Sequence, residues 1–367
     1  MIDNAQNDKV CLGVIIPVYN GEMFLKEAIY SVLNQECKDL IVVVVNDGSK
    51  DNSLSIANQI ASSDERVFVL SQENQGVSAA RNNGIAFLLE KNVEYIGFLD
   101  ADDVWCDDFY TNDLKAEILS KNSDACRFSY LEGNEELTFG LLYEVETEEY
   151  YGQDIPLYGG YFCSYIYRAE MFSIYSIQFP VGIKLQEDLS LLFLFLTVCQ
   201  KVNYFKNNMF IYRSNSTSAC HSKKDVADAY FNHVIPAWDW VIKSLVIVQD
   251  KKTREDRISQ CMTMKKTFLC EYIREASRNG ESLKEIKKNL NESGLEYLYD
   301  DFDIWIDDES LNFWNDFKSK PFKIWMKNKI YGFIFLIIRK ILRNNRYFQM
   351  KKYPIDLLAY YTKQQLP

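Results

Sequence analysis

The stretch LIVVVVNDGS, residues 40–49, decides the fold. Its first six residues are all apolar and mostly β-branched, without the alternation of polar and apolar positions expected of a half-exposed strand. Such a run predicts a strand buried on both faces, which is typical of parallel sheets covered by helices. The polar Asn-Asp-Gly-Ser that follows predicts a turn at the end of this strand.

The first hundred residues alternate between strand-like and helical patterns. The strand-like runs are 11–20, 40–49, 66–72 and 95–100, and the helical patterns are 22–35, 51–61 and 76–90. Alternation at this spacing predicts right-handed βαβ units. The predicted fold class is therefore α/β, with a doubly wound, mostly parallel sheet and helices on both of its faces.

The pattern is less regular after Asp103. The sequence predicts a helix in 105–121, mixed strands and loops in 124–183, a buried helix opening on two acids in 185–200, and one or two strands followed by a polar loop in 202–222. From about Lys223 to Gly294 the composition is helical and poor in glycine. We therefore expect a helical C-terminal region after the α/β part.

Composition limits the class of protein. At 367 residues the chain is long enough for more than one domain. Its net charge of −11 argues against general nucleic-acid binding, which needs a basic face. Its nine cysteines include no Cys-x-x-Cys pair, and the start MIDNAQNDKV has no apolar signal-peptide segment, so we expect free thiols and a cytoplasmic location. No run approaches 18 apolar residues, and no transmembrane helix is expected.

Basic residues concentrate near the C-terminus. Residues 317–355 contain eleven lysines and arginines and no acid. Within them, KIYGFIFLIIRKILR (329–343) has an apolar stretch between basic flanks that is too short to span a bilayer. It predicts a basic amphipathic segment on the inner face of the cell membrane, against anionic headgroups. The alternative is a basic helix packed on the acidic remainder of the chain.

Five acids follow the fourth strand-like run, in IGFLDADDVWCDDF (96–109). In open α/β sheets, ligands bind beyond the carboxyl ends of the strands. An Asp-x-Asp pair there, Asp100 and Asp102, suits Mg²⁺ or Mn²⁺, which take one or two carboxylates and complete their shell with waters and substrate phosphates. The chain has no Gly-rich phosphate loop, which argues against P-loop and dinucleotide-binding proteins. Asp103, Asp107 and Asp108 are expected instead as helix N-cap and first-turn acids.

Five motifs in order resemble those of glycosyltransferase family 2. They are VIIPVYNGEMFLKEAIYSVLNQ (14–35), VVVNDGSKDNS (43–53), NQGVSAARNNG (74–84), FLDADD (98–103) and QEDLSLLF (186–193). The resemblance covers roughly residues 10 to 215. It implies the GT-A fold, an inverting and metal-dependent sugar transfer, and Mn²⁺ or Mg²⁺ as the cofactor.

The resemblance also implies roles for individual residues. The nucleotide-contacting positions would be Pro17, Tyr19, Asn20, Asp47, Asn74, Arg81, Asp100 and Ala101. Among them, Asp47 would read the base and Asp100 would contact the ribose. Asp102 would hold the metal, and His221 would touch the metal or the diphosphate. Asp188 would be the catalytic base.

Plainer alternatives stay open for the same residues. They are solvated turn acids for Asp100 and Asp102, turn chemistry for Asp47, first-turn helix acids for Glu187 and Asp188, a surface arginine for Arg81 and a loop histidine without a ligand for His221.

The implied function is an inverting glycosyltransferase that moves a sugar from a nucleoside diphosphate sugar, UDP-linked, to a lipid-linked glycan. The acceptor would be carried on polyprenyl diphosphate, in the synthesis of a bacterial surface polysaccharide such as O-antigen or capsule. The enzyme would be cytoplasmic and peripherally attached to the membrane.

The domain prediction follows the same reasoning. Residues 1–222 would be the catalytic domain, with a nucleotide-binding half at about 10–104 and an acceptor half at about 105–222. A helical region would follow at 223–316, and the membrane-associating segment at 317–355.

Two other classes of protein stay open. A sugar-phosphate nucleotidyltransferase shares the sheet type and the metal, but it should carry a Gly-rich loop with Arg and Lys after the first strand, which PVYNGEMF (17–24) lacks. A non-catalytic scaffold with a degenerate site is the other class, and the intact acids argue against it.

Overall fold

The computed structural model describes residues 10–134, 137, 139–157, 161–214, 226–279 and 281–293. The chain divides between Ser222 and Lys223 into two compact units. His221 and the predicted membrane-associating segment 317–355 lie outside the described residues. Within the described ranges, no helix is both long enough and apolar enough to cross a bilayer.

The first unit combines strands with helices. Its strands are β1 (Leu12–Val18), β2 (Leu40–Asp47), β3 (Val67–Gln72), β4 (Tyr95–Phe98), β5 (Val104–Trp105), β6 (Ala125–Gly133), β7 (Phe139–Tyr143), β8 (Glu148–Tyr151), β9 (Tyr165–Arg168) and β10 (Lys201–Arg213). Its α-helices are α1 (Leu25–Leu33), α2 (Ser53–Ala61), α3 (Val77–Glu90), α4 (Asn112–Lys121), α5 (Ala169–Ile174) and α6 (Glu187–Val198).

These strands form one sheet. Its order is β3-β2-β1-β4-β9-β6-β10-β5, with β7 paired to β6 and β8 paired to β10. Strands β1 to β4 run parallel to one another, and β10 runs parallel to β6. Strand β9 is antiparallel to both of its neighbours. The predicted α/β fold with a mostly parallel sheet is confirmed, whereas the antiparallel position of β9 was not foreseen.

The core lies around the first two strands and α3. Both β1 and β2 are buried along their whole length, as their unbroken apolar sequences predict. Helix α3 approaches β1 closely, because a Cβ atom on Gly84 would lie only 2.7 Å from the side chain of Ile15. A larger residue at position 84 would push the helix away from the sheet.

The helix predicted at 105–121 begins later than expected. Thr111 is the N-cap of α4, and its Oγ1 accepts a hydrogen bond from an amide of the first turn. Ahead of it, β5 pairs with β10, Asp103 is buried in the turn before β5, and Asp107 and Asp108 lie exposed in the following turns. The prediction that these three acids begin a helix is therefore wrong, because pairing with β10 holds this segment extended and Thr111 supplies the cap.

The second unit is helical over its described residues. It contains α7 (Val226–Ala229), α8 (Ile235–Ser244), α9 (Lys251–Asn279) and α10 (Leu283–Glu292). Helices α8 and α9 pack together through Trp238 and Phe268, whose ring centroids lie 6.3 Å apart. Ser282 and Glu285 form a capping box at the start of α10. The predicted helical C-terminal region is confirmed.

Candidate active site

The strand order reverses between β1 and β4. Five of the predicted site residues follow these two strands, namely Tyr19, Asn20, Asp100, Ala101 and Asp102. Ligands in open α/β sheets bind at such a reversal, beyond the carboxyl ends of the strands. The loops after β1 and β4 touch there, since a Cβ atom on Gly21 would lie 3.6 Å from the Cβ of Ala101. The turn that carries Asp100 and Asp102 therefore lies beside the loop that carries Tyr19.

Arg81 joins two of the acidic segments. Its Nη2 lies 2.9 Å from Oδ1 of Asp100, at the end of β4, and its Nη1 lies 3.3 Å from Oε1 of Glu187, at the start of α6. The guanidinium packs over the rings of Phe179 and Phe162, at 5.2 and 5.9 Å from their centroids. Arg81 is only 5% exposed, which excludes the surface arginine considered from the sequence.

The charges around Arg81 shift its pKa and that of Glu187. Burial lowers the pKa of Arg81, but Asp100 and Glu187 more than offset this and raise it above its ordinary value. Burial, and then the carboxylate of Asp188, raise the pKa of Glu187 to about 7 against the opposing charge of Arg81. The guanidinium is therefore a permanent cation, whereas Glu187 titrates near neutral pH.

Asp188 is the second acid of the first turn of α6. Its Oδ1 accepts a hydrogen bond of 2.7 Å from the amide of Leu189, and the side chain is partly buried. Burial raises the pKa of Asp188, with Arg81 acting in the opposite direction. A carboxylate whose pKa is raised is a stronger base once it is ionised.

A second arginine holds the turn that carries Asp102. Arg213, at the end of β10, donates from Nε to the backbone oxygen of Asp102 at 2.7 Å and from its amide to Oδ1 of Asp103 at 2.8 Å. Its Nη2 lies 2.5 Å from Oε2 of Glu27 on α1, and its guanidinium packs over Phe24. Burial, with the nearby acids of this turn, raises the pKa of Asp103 well above its ordinary range.

Asp47 organises the loop before α3. Its Oδ1 accepts hydrogen bonds from the side chain of Gln72 at 2.7 Å and the amide of Gln75 at 2.8 Å, and its Oδ2 accepts one from the amide of Gly76 at 2.8 Å. The residue is 3% exposed. These contacts agree with the turn chemistry considered from the sequence, and a role of Asp47 in reading the base stays a prediction.

The loops after β1 and β2 are joined by reciprocal hydrogen bonds. The amide of Asn20 donates to Oγ of Ser49, and Oδ1 of Asn20 accepts from the amide of Lys50. Two further positions extend this clasp, through hydrogen bonds of Gly21 with Ser53 and of Glu22 with Asp51 and Asn52. We call this set of contacts the loop clasp.

The remaining predicted nucleotide contacts occupy different settings. Tyr19 is 52% exposed after β1, whereas Pro17 is a buried residue within that strand. Asn74 is exposed, and its backbone lies against Gly48, where a Cβ would approach the amide of Asn74 to 2.8 Å. Gly48 has a φ of 72°, so this turn requires glycine on both counts. Pro17 pairs with Val45 and so lies in β1, before the loop, and its contact with the nucleotide stays a prediction.

Asp100 and Asp102 are the candidate metal ligands of the site. The described residues contain no group of three or more His, Cys, Asp or Glu side chains placed to hold a metal ion. Asp100 and Asp102 do supply the hard oxygen donors that Mg²⁺ and Mn²⁺ prefer, and the side chain of Asp100 is 34% exposed although Arg81 binds one of its oxygens. Their chemistry fits a cation that shares its shell with substrate phosphates.

Sequence reasoning missed Arg213 and the two rings beneath Arg81. Arg213 could have been suspected from the sequence, because it ends the apolar run MFIYR (209–213). A charge next to a buried strand needs a partner. Phe162 and Phe179 carried no such signal, since an aromatic residue in a loop has many possible neighbours.

Known proteins match the same part of the chain. Residues 13–172 match the family model described as glycosyl transferase family 2. The chain is 30% identical over 224 residues to the glycosyltransferase GlyA of Streptococcus pneumoniae, covering 56% of this chain and 31% of GlyA. It is 31% identical over 223 residues to the uncharacterized glycosyltransferase EpsJ of Bacillus subtilis, covering 56% of this chain and 62% of EpsJ. The chain therefore spans less than two thirds of the length of either relative.

A solved structure has the same fold. S. aureus TarS, residues 1–349 in complex with UDP-GlcNAc, matches with a TM-score of 0.64 at 17% identity, covering 87% of this chain and 90% of that one. These matches show that residues 13–172 resemble glycosyl transferase family 2 and that the chain has the GT-A fold of its structural neighbours.

Proposed function

We propose that the chain transfers a sugar from a UDP-linked donor to a hydroxyl group of a glycan acceptor, with inversion at the anomeric carbon. The observation that carries the proposal is the ion-pair network of Arg81. It connects Asp100, at the end of β4, to Glu187, whose neighbour Asp188 has a raised pKa. Acids suited to binding a donor and an acid suited to proton transfer thereby meet at one edge of the sheet.

The donor would lie across the ends of β1, β2 and β4. Tyr19 is exposed there for contact with the nucleotide, and Asp100 retains exposed surface for the ribose. Asp102 would hold a divalent cation, Mn²⁺ or Mg²⁺, as enzymes of this family typically do. When bound, such a cation supplies Lewis-acid stabilisation of the departing diphosphate. The UDP-GlcNAc complex of TarS supports UDP as the nucleotide.

The reaction would be a single in-line displacement with Asp188 as the general base. Its carboxylate would take the proton from the acceptor hydroxyl as that oxygen attacks the anomeric carbon. Glu187 is less suited to this task because its Oε1 already lies in an ion pair with Arg81. One displacement from the face opposite the leaving group inverts the configuration.

The acceptor would approach beside a pair of tyrosines. The rings of Tyr161 and Tyr212 lie with their centroids 5.2 Å apart, and both side chains are half-buried. Tyr161 directly precedes Phe162, which packs on Arg81, and Tyr212 directly precedes Arg213, which holds the Asp102 turn. Half-exposed rings at this place suit the apolar face of a sugar, because aromatic side chains combine a large apolar surface with a polar group.

A lipid-linked acceptor is proposed from the sequence of the C-terminal region. Residues 317–355 lie outside the described residues, and their eleven basic side chains suit an anionic membrane surface. An enzyme attached to the inner face of the cell membrane would meet glycans carried on polyprenyl diphosphate. Synthesis of O-antigen or capsule is the proposed setting.

Hydrolysis of a panel of nucleotide sugars in the presence of Mn²⁺ tests the proposal. Release of free nucleoside diphosphate from one donor, lost in Asp102→Asn, is the expected result. Exchange of pyrophosphate into the nucleotide sugar would indicate a nucleotidyltransferase instead. No turnover, together with no binding of UDP by calorimetry, would indicate a scaffold protein and overturn the proposal.

A further inference from the structure

We propose that Arg213 is a positioning residue that sets the orientation of Asp102. The inference rests on the proposed function, because it concerns the acid that would hold the cation. Arg213 lies 111 positions from Asp102 in the sequence, and no family motif quoted above contains it. Its role would be to hold the turn after β4 from the end of β10, which pairs with β5 directly after that turn.

Arg213 reaches this turn at two successive residues. The Nε–H group donates to the backbone oxygen of Asp102, and the backbone N–H donates to the side chain of Asp103. Because a backbone oxygen and a neighbouring carboxylate are both held, the peptide between them has little freedom to rotate. The direction in which the Asp102 carboxylate leaves the chain follows from that peptide.

The contact with Asp103 also gives the adjacent acids Asp102 and Asp103 different surroundings. Asp103 is 1% exposed and accepts the amide hydrogen bond of Arg213, so its carboxylate points into the protein. Asp102 is only partly buried. The turn therefore leaves the side chain of Asp102 partly exposed and buries that of Asp103. The amide of Arg213 stabilises this arrangement.

The guanidinium is itself fixed by α1. Nη2 of Arg213 lies 2.5 Å from Oε2 of Glu27. The guanidinium packs over Phe24, at 4.6 Å from the ring centroid. The side chain of Arg213 is only 4% exposed, so it cannot exchange these contacts for water without opening the fold. A lysine would retain the charge but has no planar group that reaches two partners at once.

Groups that orient metal ligands influence metal affinity strongly. Changing such a partner typically weakens metal affinity or activity by about 10–100-fold. A merely structural arginine would instead affect stability alone. The two roles are separated by measuring how much Mn²⁺ strengthens UDP binding, independently of turnover.

The test compares Arg213→Lys with Arg168→Lys. Arg168 is a matched control because it is also buried and also binds a carboxylate and a backbone oxygen, of Glu94 and Ser123. It pairs with Tyr95, at the opposite end of β4 from Asp100. Calorimetry would give the Kd of UDP for the full chain with Mn²⁺ and with EDTA, and thermal unfolding would give the Tm of each variant.

We expect the enhancement of UDP affinity by Mn²⁺ to fall by about 10–100-fold in Arg213→Lys. In Arg168→Lys the enhancement should stay at its wild-type value while the Tm falls. An enhancement in Arg213→Lys within about twofold of the wild-type value would overturn the inference. A wild-type chain whose UDP affinity does not respond to Mn²⁺ would overturn the proposed function, and the inference with it.

Glu27→Gln is a second variant in case Arg213→Lys does not fold. Its side chain is 54% exposed, so the substitution should lower the Tm less than a change at the buried Arg213 while removing the charge that fixes Nη2. A smaller loss of the Mn²⁺ enhancement in the same direction is expected. A wild-type enhancement in Glu27→Gln, with Arg213→Lys unfolded, would identify Arg213 as a structural residue only.

Discussion

The Nη1 atom of Arg81 lies 3.3 Å from Oε1 of Glu187, although the two residues are 106 positions apart in the chain. The same guanidinium donates to Asp100. Acids that follow β4 and that begin α6 thus share one buried cation. Removing one member of a buried ion pair typically costs about 3–5 kcal/mol, because the partner charge is left uncompensated. The network therefore links the turn after β4 to the start of α6.

Asp188→Asn is expected to reduce turnover by ~10²–10⁴-fold, because an amide cannot accept the proton of the acceptor hydroxyl. UDP binding should persist, since the base does not hold the nucleotide. Sugar transfer and the Kd of UDP would be measured on the same preparation. Glu170→Gln is the control, since Glu170 is an exposed acid in the first turn of another helix, α5. Wild-type turnover in Asp188→Asn would exclude Asp188 as the base.

Glu187 makes the stability of the fold depend on pH. Its pKa is raised from 4.5 to about 7 in the folded state, so between these values the folded chain binds more protons than the unfolded chain. Its contribution to stability is therefore fully present below about pH 4.5 and is lost as the pH rises through about 7. The free energy of unfolding of wild type should fall relative to Glu187→Gln over this window. Parallel urea-unfolding profiles of the two proteins at pH 5, 6 and 8 would contradict the prediction.

Asp102→Asn is expected to remove most of the enhancement of UDP binding by Mn²⁺, because an amide oxygen carries no charge for the cation. The residual affinity should equal that of wild type in EDTA. Asp107→Asn is the matched control, since Asp107 is an exposed acid of the same stretch with no assigned role. Equal effects of both substitutions would indicate that only the overall charge of this surface matters.

Tyr161→Ala is expected to weaken binding of the acceptor and to leave binding of the donor unchanged. Loss of an aromatic contact worth ~0.5–1.5 kcal/mol corresponds to a rise in acceptor KM of roughly two- to tenfold. Transfer to octyl glycosides of glucose, galactose and N-acetylglucosamine would be compared with donor hydrolysis in the absence of acceptor. Tyr161→Phe retains the ring and should behave as wild type, as should Tyr151→Ala, which removes an exposed tyrosine of β8. An unchanged KM in Tyr161→Ala would remove this ring from the acceptor site.

The basic C-terminal region is expected to attach the chain to anionic membranes. Reversing two charges beside its apolar stretch, in Arg339→Glu with Lys340→Glu, should abolish flotation of the full chain with phosphatidylglycerol vesicles. Neutral phosphatidylcholine vesicles are the control for non-specific association. If the variant floats as well as wild type, these charges do not mediate attachment, and a basic helix packed on the protein becomes the better interpretation.

The first half of the fold was predictable because its signals are local. The β-branched run LIVVVV (40–45) favours a strand buried on both faces, and the segment 76–90 lies in the helix that its local pattern predicts. The carboxyl ends of such strands meet at one edge of the sheet, so Asp47 and Asp100 could be placed there from the sequence.

The rest depended on pairings between distant residues. Nothing local in YIYR (165–168) specifies that β9 lies antiparallel between β4 and β6. Asp103 was assigned to a helix start because acids favour that position, yet a hydrogen bond from Arg213, 110 positions later, holds it in a buried turn. Long-range contacts of this kind overrule local preference, and a single sequence does not reveal them.

The loop clasp has a consequence for exchanging segments between this chain and related proteins. Since the backbone of each loop is anchored on side chains of the other, a segment transplanted from a relative into only one of them would lose its supports. The two loops therefore have to be exchanged together. A chimera that receives residues 19–22 and 49–53 from the same relative should stay soluble, whereas a chimera that receives only one of these segments should not.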